Sequence, residues 1–447
     1  MTPGNERNSG KVPFPAALRF WLILGFVSFG GPAGQIALMH RALVDERRWI
    51  SERRFLHALN YCMVLPGPEA QQLATYLGWL MHGTLGGIVA GTLFILPSLG
   101  ILILLSWVYV AFGSLPLVDA IFEAIKPAVI AVILQACHRL GTRTLKGPAL
   151  WGIAALALLA ALMAIPFPMI VLGAAVCGAL GGHFLPAAFA SASGHGTTTH
   201  SALPALIDDH TPTPVHARPS RRLLLRVLMF GLGLWASGLA VLWMVFGHPH
   251  LLLTTAIFFT KAALLTFGGA YAVLPYVHDG AVGTYGWLTS TQMLDGLALG
   301  ETTPGPLIMI VSFVGYLAGH ASAFLGVERA GIAGVLTALV ATWFTFLPSF
   351  VFVLAGGPLV EASRDKTRYT AVLTAISAAV VSAIFNLALV LARHVIVLSG
   401  ESGSINPGAI AITLGAAVAL LVFKRRVIEV LAAAAMLGAV EHFIAIA

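Results

Sequence analysis

Two short motifs in this chain could hold an anion without any covalent chemistry. Phe29-Gly30-Gly31-Pro32 is preceded by Ser28 and followed by Gln35. Pro66-Gly67-Pro68 is followed by Glu69, Gln71, Gln72 and Thr75. Glycine and proline end helices, so each motif breaks an apolar run. A helix that restarts after such a break presents unpaired N–H groups and the positive end of its dipole. Several such starts aimed at one place would cradle a tetrahedral oxyanion. The nearby hydroxyl and amide side chains would add hydrogen bonds. The arrangement recurs later in the chain. Thr266 precedes Phe267-Gly268-Gly269, and Thr302 and Thr303 precede Pro304-Gly305-Pro306. The glycines, prolines, Gln35, Gln71, Gln72, Thr266 and Thr303 are the candidate substrate-binding residues.

Ionisable residues inside apolar segments are costly and point to function. Glu69, directly after the first Pro-Gly-Pro, is either a first-turn acid that complements the helix dipole or a proton carrier. Glu301, three residues before Pro304, is the corresponding acid of the second set. Both are candidates for proton coupling. Lys261 sits six residues before Phe267 and either draws an anion inward or snorkels to the membrane surface. Glu123 and Lys126 are spaced to pair on one helix face. Asn386 suits an interhelical hydrogen bond.

The elements that would position these residues are membrane helices. The chain has 447 residues, of which 58% are hydrophobic and only 10% charged. A soluble protein carries about 25% charged residues, so much of this surface faces lipid. The stretches Gly83–Val118, Ala149–Gly182 and Ala330–Val360 contain no Asp, Glu, Lys or Arg. About 20 apolar residues cross a bilayer core, so each is long enough to span. The reading is an all-α polytopic membrane protein. The net charge of +7 marks cytoplasmic loops rather than a nucleic-acid surface. Cys62, Cys137 and Cys177 read as buried small apolar residues, and no cleaved signal peptide is expected.

The chain repeats itself. At a constant offset Phe20 meets Phe258, Phe29-Gly30-Gly31 meets Phe267-Gly268-Gly269, Trp49 meets Trp287, and Pro66-Gly67-Pro68 meets Pro304-Gly305-Pro306. Leu96-Pro97-Ser98 then matches Leu347-Pro348-Ser349 after an insertion. Residues 1–186 read as an N-terminal repeat and 187–221 as a flexible cytoplasmic linker whose His195, His200, His210 and His216 are solvated. Residues 222–447 read as an extra helix followed by a C-terminal repeat. One added crossing inverts the second repeat relative to the first. Basic residues fit that arrangement. Arg41, Arg47, Arg48, Arg53 and Arg54 follow the first Phe-Gly-Gly, whereas the matching loop, Tyr276–Ser290, has no Lys or Arg. These clusters, with Arg139–Lys146, Arg218–Arg226, Arg364–Arg368 and Lys424–Arg426, share one side only if the broken segments enter and return as re-entrant hairpins. Four crossings per half then flank the extra one. Gly83, Gly87 and Gly91 favour close helix packing, and Trp49 and Trp287 are expected at the membrane interface.

No nucleotide-binding GxxxxGK[ST], HExxH or paired CxxC pattern is present. No cofactor, metal site or enzymatic reaction is expected, although Glu69 with His57 or His82 would be the acid–base residues of an intramembrane enzyme.

FGGPAGQ at 29–35, LPGPEAQQLATYLGW at 65–79, FILPS at 94–98, FGGAYAVLP at 267–275, TPGPLIMIVSFVGY at 303–316 and FLPS at 346–349 together resemble the chromate ion transporter family in its long two-domain form. The resemblance implies gradient-driven export of chromate across the bacterial inner membrane, and hence chromate resistance. It carries the family motif onto Gly30, Gly31, Pro32, Pro66, Gly67, Pro68, Gly268, Gly269, Pro304, Gly305 and Pro306. Glu69 and Ala270 depart from the expected pattern. The partners expected are a small inorganic oxyanion, chromate or sulfate, and membrane lipid, with no nucleic acid; a homo-oligomer is compatible with such a chain.

Overall fold

The structure is a computed structural model that describes residues 12–184, 205–208, 211, 214–218, 220–247, 250–362, 370–397 and 405–446. Arg7, Lys11, His195, His200, His210 and the cluster Arg364–Arg368 lie outside the described residues. Within them the protein is helical, and the only extended pairings are two isolated bridges. Among the described residues six helices are long and apolar enough to cross a membrane.

Two short helices open the first half. Helix α1 (Phe14–Val27) ends at Ser28, and α2 (Gly31–His40) begins after Gly30, which adopts a left-handed conformation at φ 90°. A π-helical turn, Arg41–Glu46, extends α2. The Trp49 ring that follows lies 5.7 Å from that of Phe20, in the middle of α1. Chain leaving the break therefore returns alongside the helix that entered it. Trp49 is buried there, with the Arg47 guanidinium 5.0 Å from the Phe20 ring. It closes the hairpin from inside the fold rather than facing lipid.

Helix α3 (Glu52–Val64) runs to the Pro-Gly-Pro break and α4 (Glu69–Phe112) leaves it. The φ and ψ angles of His82 and Gly83 are non-helical, and the chain doubles back there. A Cβ on Gly87 would lie 3.0 Å from Thr75 O. In a straight helix those residues would be about 18 Å apart. Gly78, Gly87 and Gly91 let the two arms of α4 approach closely; of the glycine run expected to pack, Gly87 and Gly91 do so, whereas Gly83 forms the turn at φ 66°. His82 Nε2 meets Val12 O at 2.8 Å, so α4's first arm ends beside the start of α1. Both broken segments thus begin and end on one face, called here the near face. Helices α5 (Pro116–Thr144), α6 (Pro148–Leu162) and α7 (Phe167–Phe184) complete the half. Cys62 is buried but Cys177 is exposed on α7, which corrects the expectation of three buried thiols.

The second half repeats this design after α8 (Arg221–Phe246). Helix α9 (Leu251–Leu265) leads to the Gly268-Gly269 break, followed by α10 (Leu274–His278) and a π-helical turn. The Trp287 ring closes on Phe258 at 5.3 Å, as Trp49 does on Phe20. Helices α11 (Ser290–Thr302) and α12 (Ile310–Ser322) flank the second Pro-Gly-Pro. Then come α13 (Ala330–Ala362), α14 (Thr370–Ile396), α15 (Pro407–Leu421) and α16 (Val427–Ile446). Helix α8 packs on α13, with Gly231 facing Val351 and Gly238 facing Phe344. The start of α9 and the turn after α12 meet through His250 and Phe324, whose rings are 4.9 Å apart.

The described part of the linker is fixed to the near face. Leu206 N donates to Arg48 O and Ile207 N to Trp49 O, both at 3.0 Å. His216 is half-buried, with Nε2 2.9 Å from Trp79 O, so this histidine is not the solvated linker residue that composition suggested. Burial pushes its pKa below the ordinary 6.5, partly offset by the carbonyls of Trp79 and Leu80. The docked ring therefore favours the neutral form, and docking is complete above 6.5 and weakens as pH falls below it. Amide hydrogen exchange over 205–218 should be faster at acidic than at neutral pH, and the difference should vanish in His216→Phe.

Candidate functional site

The four breaks interlock. Gly67, Gly268, Gly269 and Gly305 all have φ between 83° and 132°, a region open to glycine and strained for other residues. Gly67 N–H donates to Thr266 O at 2.7 Å, and Gly305 N–H donates to Ser28 O at 2.8 Å. These two bonds are the same contact with the halves exchanged. Each Pro-Gly-Pro is thus tied to the residue preceding the other half's Phe-Gly-Gly. The LPS serines complete the crossing, since Ser349 faces Gly67 and Ser98 faces Gly305.

The crossing uses several groups that the sequence offered to substrate. Both Pro-Gly-Pro glycine amides are occupied, and Pro66, Pro68, Pro304 and Pro306 have no N–H to give. Gln35 Nε2 donates to Gly305 O, and Gln72 Nε2 to Pro66 O at 2.8 Å. Gln71 Nε2 donates to Thr75 Oγ1 at 2.9 Å. The hydroxyls of Thr266 and Thr303 bond back to Ala262 O and Gly300 O. The uncapped starts of α2 and α4 remain, since no side chain closes either.

One cavity of about 200 Å3 adjoins the crossing. Its lining includes Pro32 and Ala33 at the start of α2, Glu69 at the start of α4, and Gly268, Gly269 and Tyr271 from the second break. Arg139 and Arg143, one turn apart on α5, complete it with Ser377 of α14. The remaining motif residues, including Gly30 and Gly31, frame the crossing rather than line this space. Glu301 is buried and accepts a hydrogen bond from Tyr271 Oη, and Arg139 acts electrostatically on both Glu69 and Glu301. Two guanidinium groups and one carboxylate line the cavity itself, with Glu301 behind Tyr271 as a second carboxylate within Arg139's reach. Arginine's planar fork suits tetrahedral oxyanions.

Sequence reasoning placed Arg139 and Arg143 in a cytoplasmic loop cluster; their four-residue spacing was the available sign of a shared helix face. Lys261 does not join the cavity. It is exposed on α9, so Lys261→Met should change the transport rate by less than about twofold, measured in vesicles. His82, bound to Val12 O, is about 20 Å along the helix from Glu69 and cannot serve it as an acid–base partner. Glu123 and Lys126 do pair, and Lys126 also faces Asp295, which the sequence analysis did not single out.

Fold and site define a polytopic helical membrane protein built around interlocked broken helices, with a basic cavity at their crossing. The family model described as Chromate transporter matches residues 16–179 and 253–439. The chain belongs to the chromate transporter family. It is 36% identical to a chromate transport protein of Pseudomonas aeruginosa over 83% of this chain and 79% of that protein. It is 28% identical to a chromate transport protein of Cupriavidus metallidurans over 95% of this chain and 92% of that one. A probable chromate transport protein of Synechococcus elongatus is 29% identical over 84% of each chain. No solved structure matches the chain.

Proposed function

We propose that this protein is a secondary transporter that exports chromate across the bacterial inner membrane and thereby confers chromate resistance. The observation that carries the reading is the cavity where Arg139, Arg143 and Glu69 meet the Gly268-Gly269 break. It offers a dianion two guanidinium groups and uncapped helix starts, and has room for a tetraoxyanion with part of its hydration shell.

The two halves are inverted repeats moving about that site in alternating access. Three observations support the inversion. The first-half hairpins open on the near face, where Val12 meets His82. Helix α8 intervenes between the halves. The second-half hairpins open at the far end of α13, beside Phe324, while its near end pairs Glu361 with Arg54. The basic residues Arg41, Arg47, Arg48 and Arg53 support a cytoplasmic near face.

Energy comes from the membrane potential or the proton gradient. Each charge gains about 2.3 kcal/mol per 100 mV. A dianion leaving a negative interior therefore gains about 4.6 kcal/mol per 100 mV, more than a thousandfold in concentration. Glu69 and Glu301 are the proton-coupling candidates nearest the cavity.

The test is uptake of radiolabelled chromate by inside-out vesicles, with voltage and pH gradient imposed separately and sulfate as competitor. Uptake driven by an interior-positive potential is expected. Uptake no greater than in vesicles lacking the protein would refute export. Halving of uptake by equimolar sulfate would make the substrate small divalent oxyanions generally.

A further inference from the structure

A second buried polar cluster lies away from the cavity. Asp295 on α11 is 3% exposed, and its Oδ2 accepts a 2.8 Å hydrogen bond from Tyr109 Oη at the end of α4. Its other oxygen, Oδ1, is buried without a hydrogen-bond partner and lies 4.0 Å from Lys126 Nζ. Lys126 is itself 4% exposed and also bonds Glu123, whose side chain is 62% exposed. A surface carboxylate, a buried ammonium and a buried carboxylate thus form a line inward from the face opposite the linker.

The near face holds a counterpart. Glu361, at the end of α13, accepts from Tyr76 Oη at 2.6 Å and pairs with Arg54 Nη1 at 3.6 Å. Each cluster ties the end of one half's long helix to the helix entering the other half's Pro-Gly-Pro. Tyr109 lies eleven residues beyond Ser98, and Glu361 twelve beyond Ser349, or about 17 and 18 Å from the crossing. The two clusters therefore sit at matching heights on opposite sides of it.

They differ in chemistry. Arg54 presents a planar guanidinium, and its Nη2 donates to Thr211 O of the docked linker at 2.8 Å. Lys126 is shared with a surface acid, and Asp295 keeps one oxygen open. A buried ion pair adds little net stability over an apolar pair, because desolvation offsets its attraction.

We propose that Asp295 is a proton-binding site that latches the face opposite the linker. The inference deepens the reading of a gradient-coupled transporter and rests on it. Glu123 takes a proton from water on that side; Lys126 passes one of its ammonium protons to Asp295 Oδ1, neutralising that carboxylate, and regains a proton from Glu123, which returns to its charged form. Lys126 keeps its charge, now balanced by Glu123 alone, and the electrostatic tie between α5 and α11 is released. Only O–H and N–H bonds along Glu123, Lys126 and Asp295 form and break, and the net change is one proton gained by Asp295. The charged and titratable groups that act on Asp295 are Lys126, Glu123 and Asp119 from α5 and Tyr109 from α4. Helix α12 contributes the Phe313 ring, 5.4 Å from that of Tyr109.

The full-length protein in proteoliposomes tests this in two ways. Chromate exchange is followed while pH is varied only on the face opposite the linker. Asp295→Asn should retain exchange but lose its dependence on that pH, and Asp295→Glu should keep a dependence with a displaced midpoint. A merely structural aspartate would lower the rate equally at every pH and leave the profile's shape unchanged, which would overturn the proposal. Infrared difference spectra between two pH values need no transport. A protonated-carboxyl band should appear in the wild type, shift in Asp295→Glu and vanish in Asp295→Asn. Persistence of the band in Asp295→Asn, or its absence in the wild type, would also overturn it. If the wild type moves no chromate, the export reading fails while the infrared arm still decides the proton site; if Asp295→Asn does not fold, the band shift in Asp295→Glu decides it.

Discussion

Gly67→Ala and Gly305→Ala will abolish transport while the protein still reaches the membrane. Each glycine has a positive φ, 132° and 100°, which costs any other residue about 1–3 kcal/mol. A Cβ at Gly67 would overlap Ser349 Oγ and come within 2.5 Å of Gln72 Nε2; at Gly305 it would lie 2.5 Å from Ser98 Cβ. Relief must come from moving one break relative to the other, which displaces the Thr266–Gly67 and Ser28–Gly305 bonds together. The loss should be at least about thirtyfold, equivalent to 2 kcal/mol. The rescue differs between the sites because the clashing atoms differ. Ser349→Ala removes the overlapping oxygen and should restore part of the activity of Gly67→Ala. Ser98→Ala keeps the offending Cβ, so Gly305→Ala needs Ser98→Gly. Transport by the double variants, normalised to membrane-inserted protein, measures this; equal rescue of Gly305→Ala by Ser98→Ala and Ser98→Gly would contradict the packing.

Much of the architecture is written plainly in the chain. Paired breaks at matched spacing announce the repeat, because glycine and proline are needed wherever the backbone turns inside an apolar region. The Trp49 and Trp287 pairing was visible as a match but not as a function: no local pattern says that an indole folds back on a phenylalanine many residues earlier. The crossing was half legible. Its residues could be named, but the cross-half contacts could not, so nothing in the sequence showed that Gln35 and Gln72 also brace the breaks. Asp295 opens DGLALGE, where one acid six residues before Glu301 gives no periodic signal. Its meaning comes only from Tyr109 and Lys126, brought to it by tertiary packing.

The cavity's charge balance makes the remaining prediction. Arg139→Ala or Arg143→Ala should raise the KM for chromate about ten- to a hundredfold with a smaller effect on maximal rate. Hydrogen bonds to charged groups are worth about 1.5–3 kcal/mol, and both arginines face the same 200 Å3 space. Arg139→Lys should recover only part of the affinity, because a lysine keeps the charge but loses the planar fork. Glu69→Gln acts in the opposite sense. It removes the one acidic side chain lining that space, so the dianion meets two guanidinium groups and no lining carboxylate. Binding should tighten while turnover slows, since a site that holds its cargo too well releases it poorly. Equilibrium chromate binding in detergent, compared with transport by the same preparations, separates the two effects. Weaker binding in Glu69→Gln would place the anion away from this carboxylate and remove the cavity as the site.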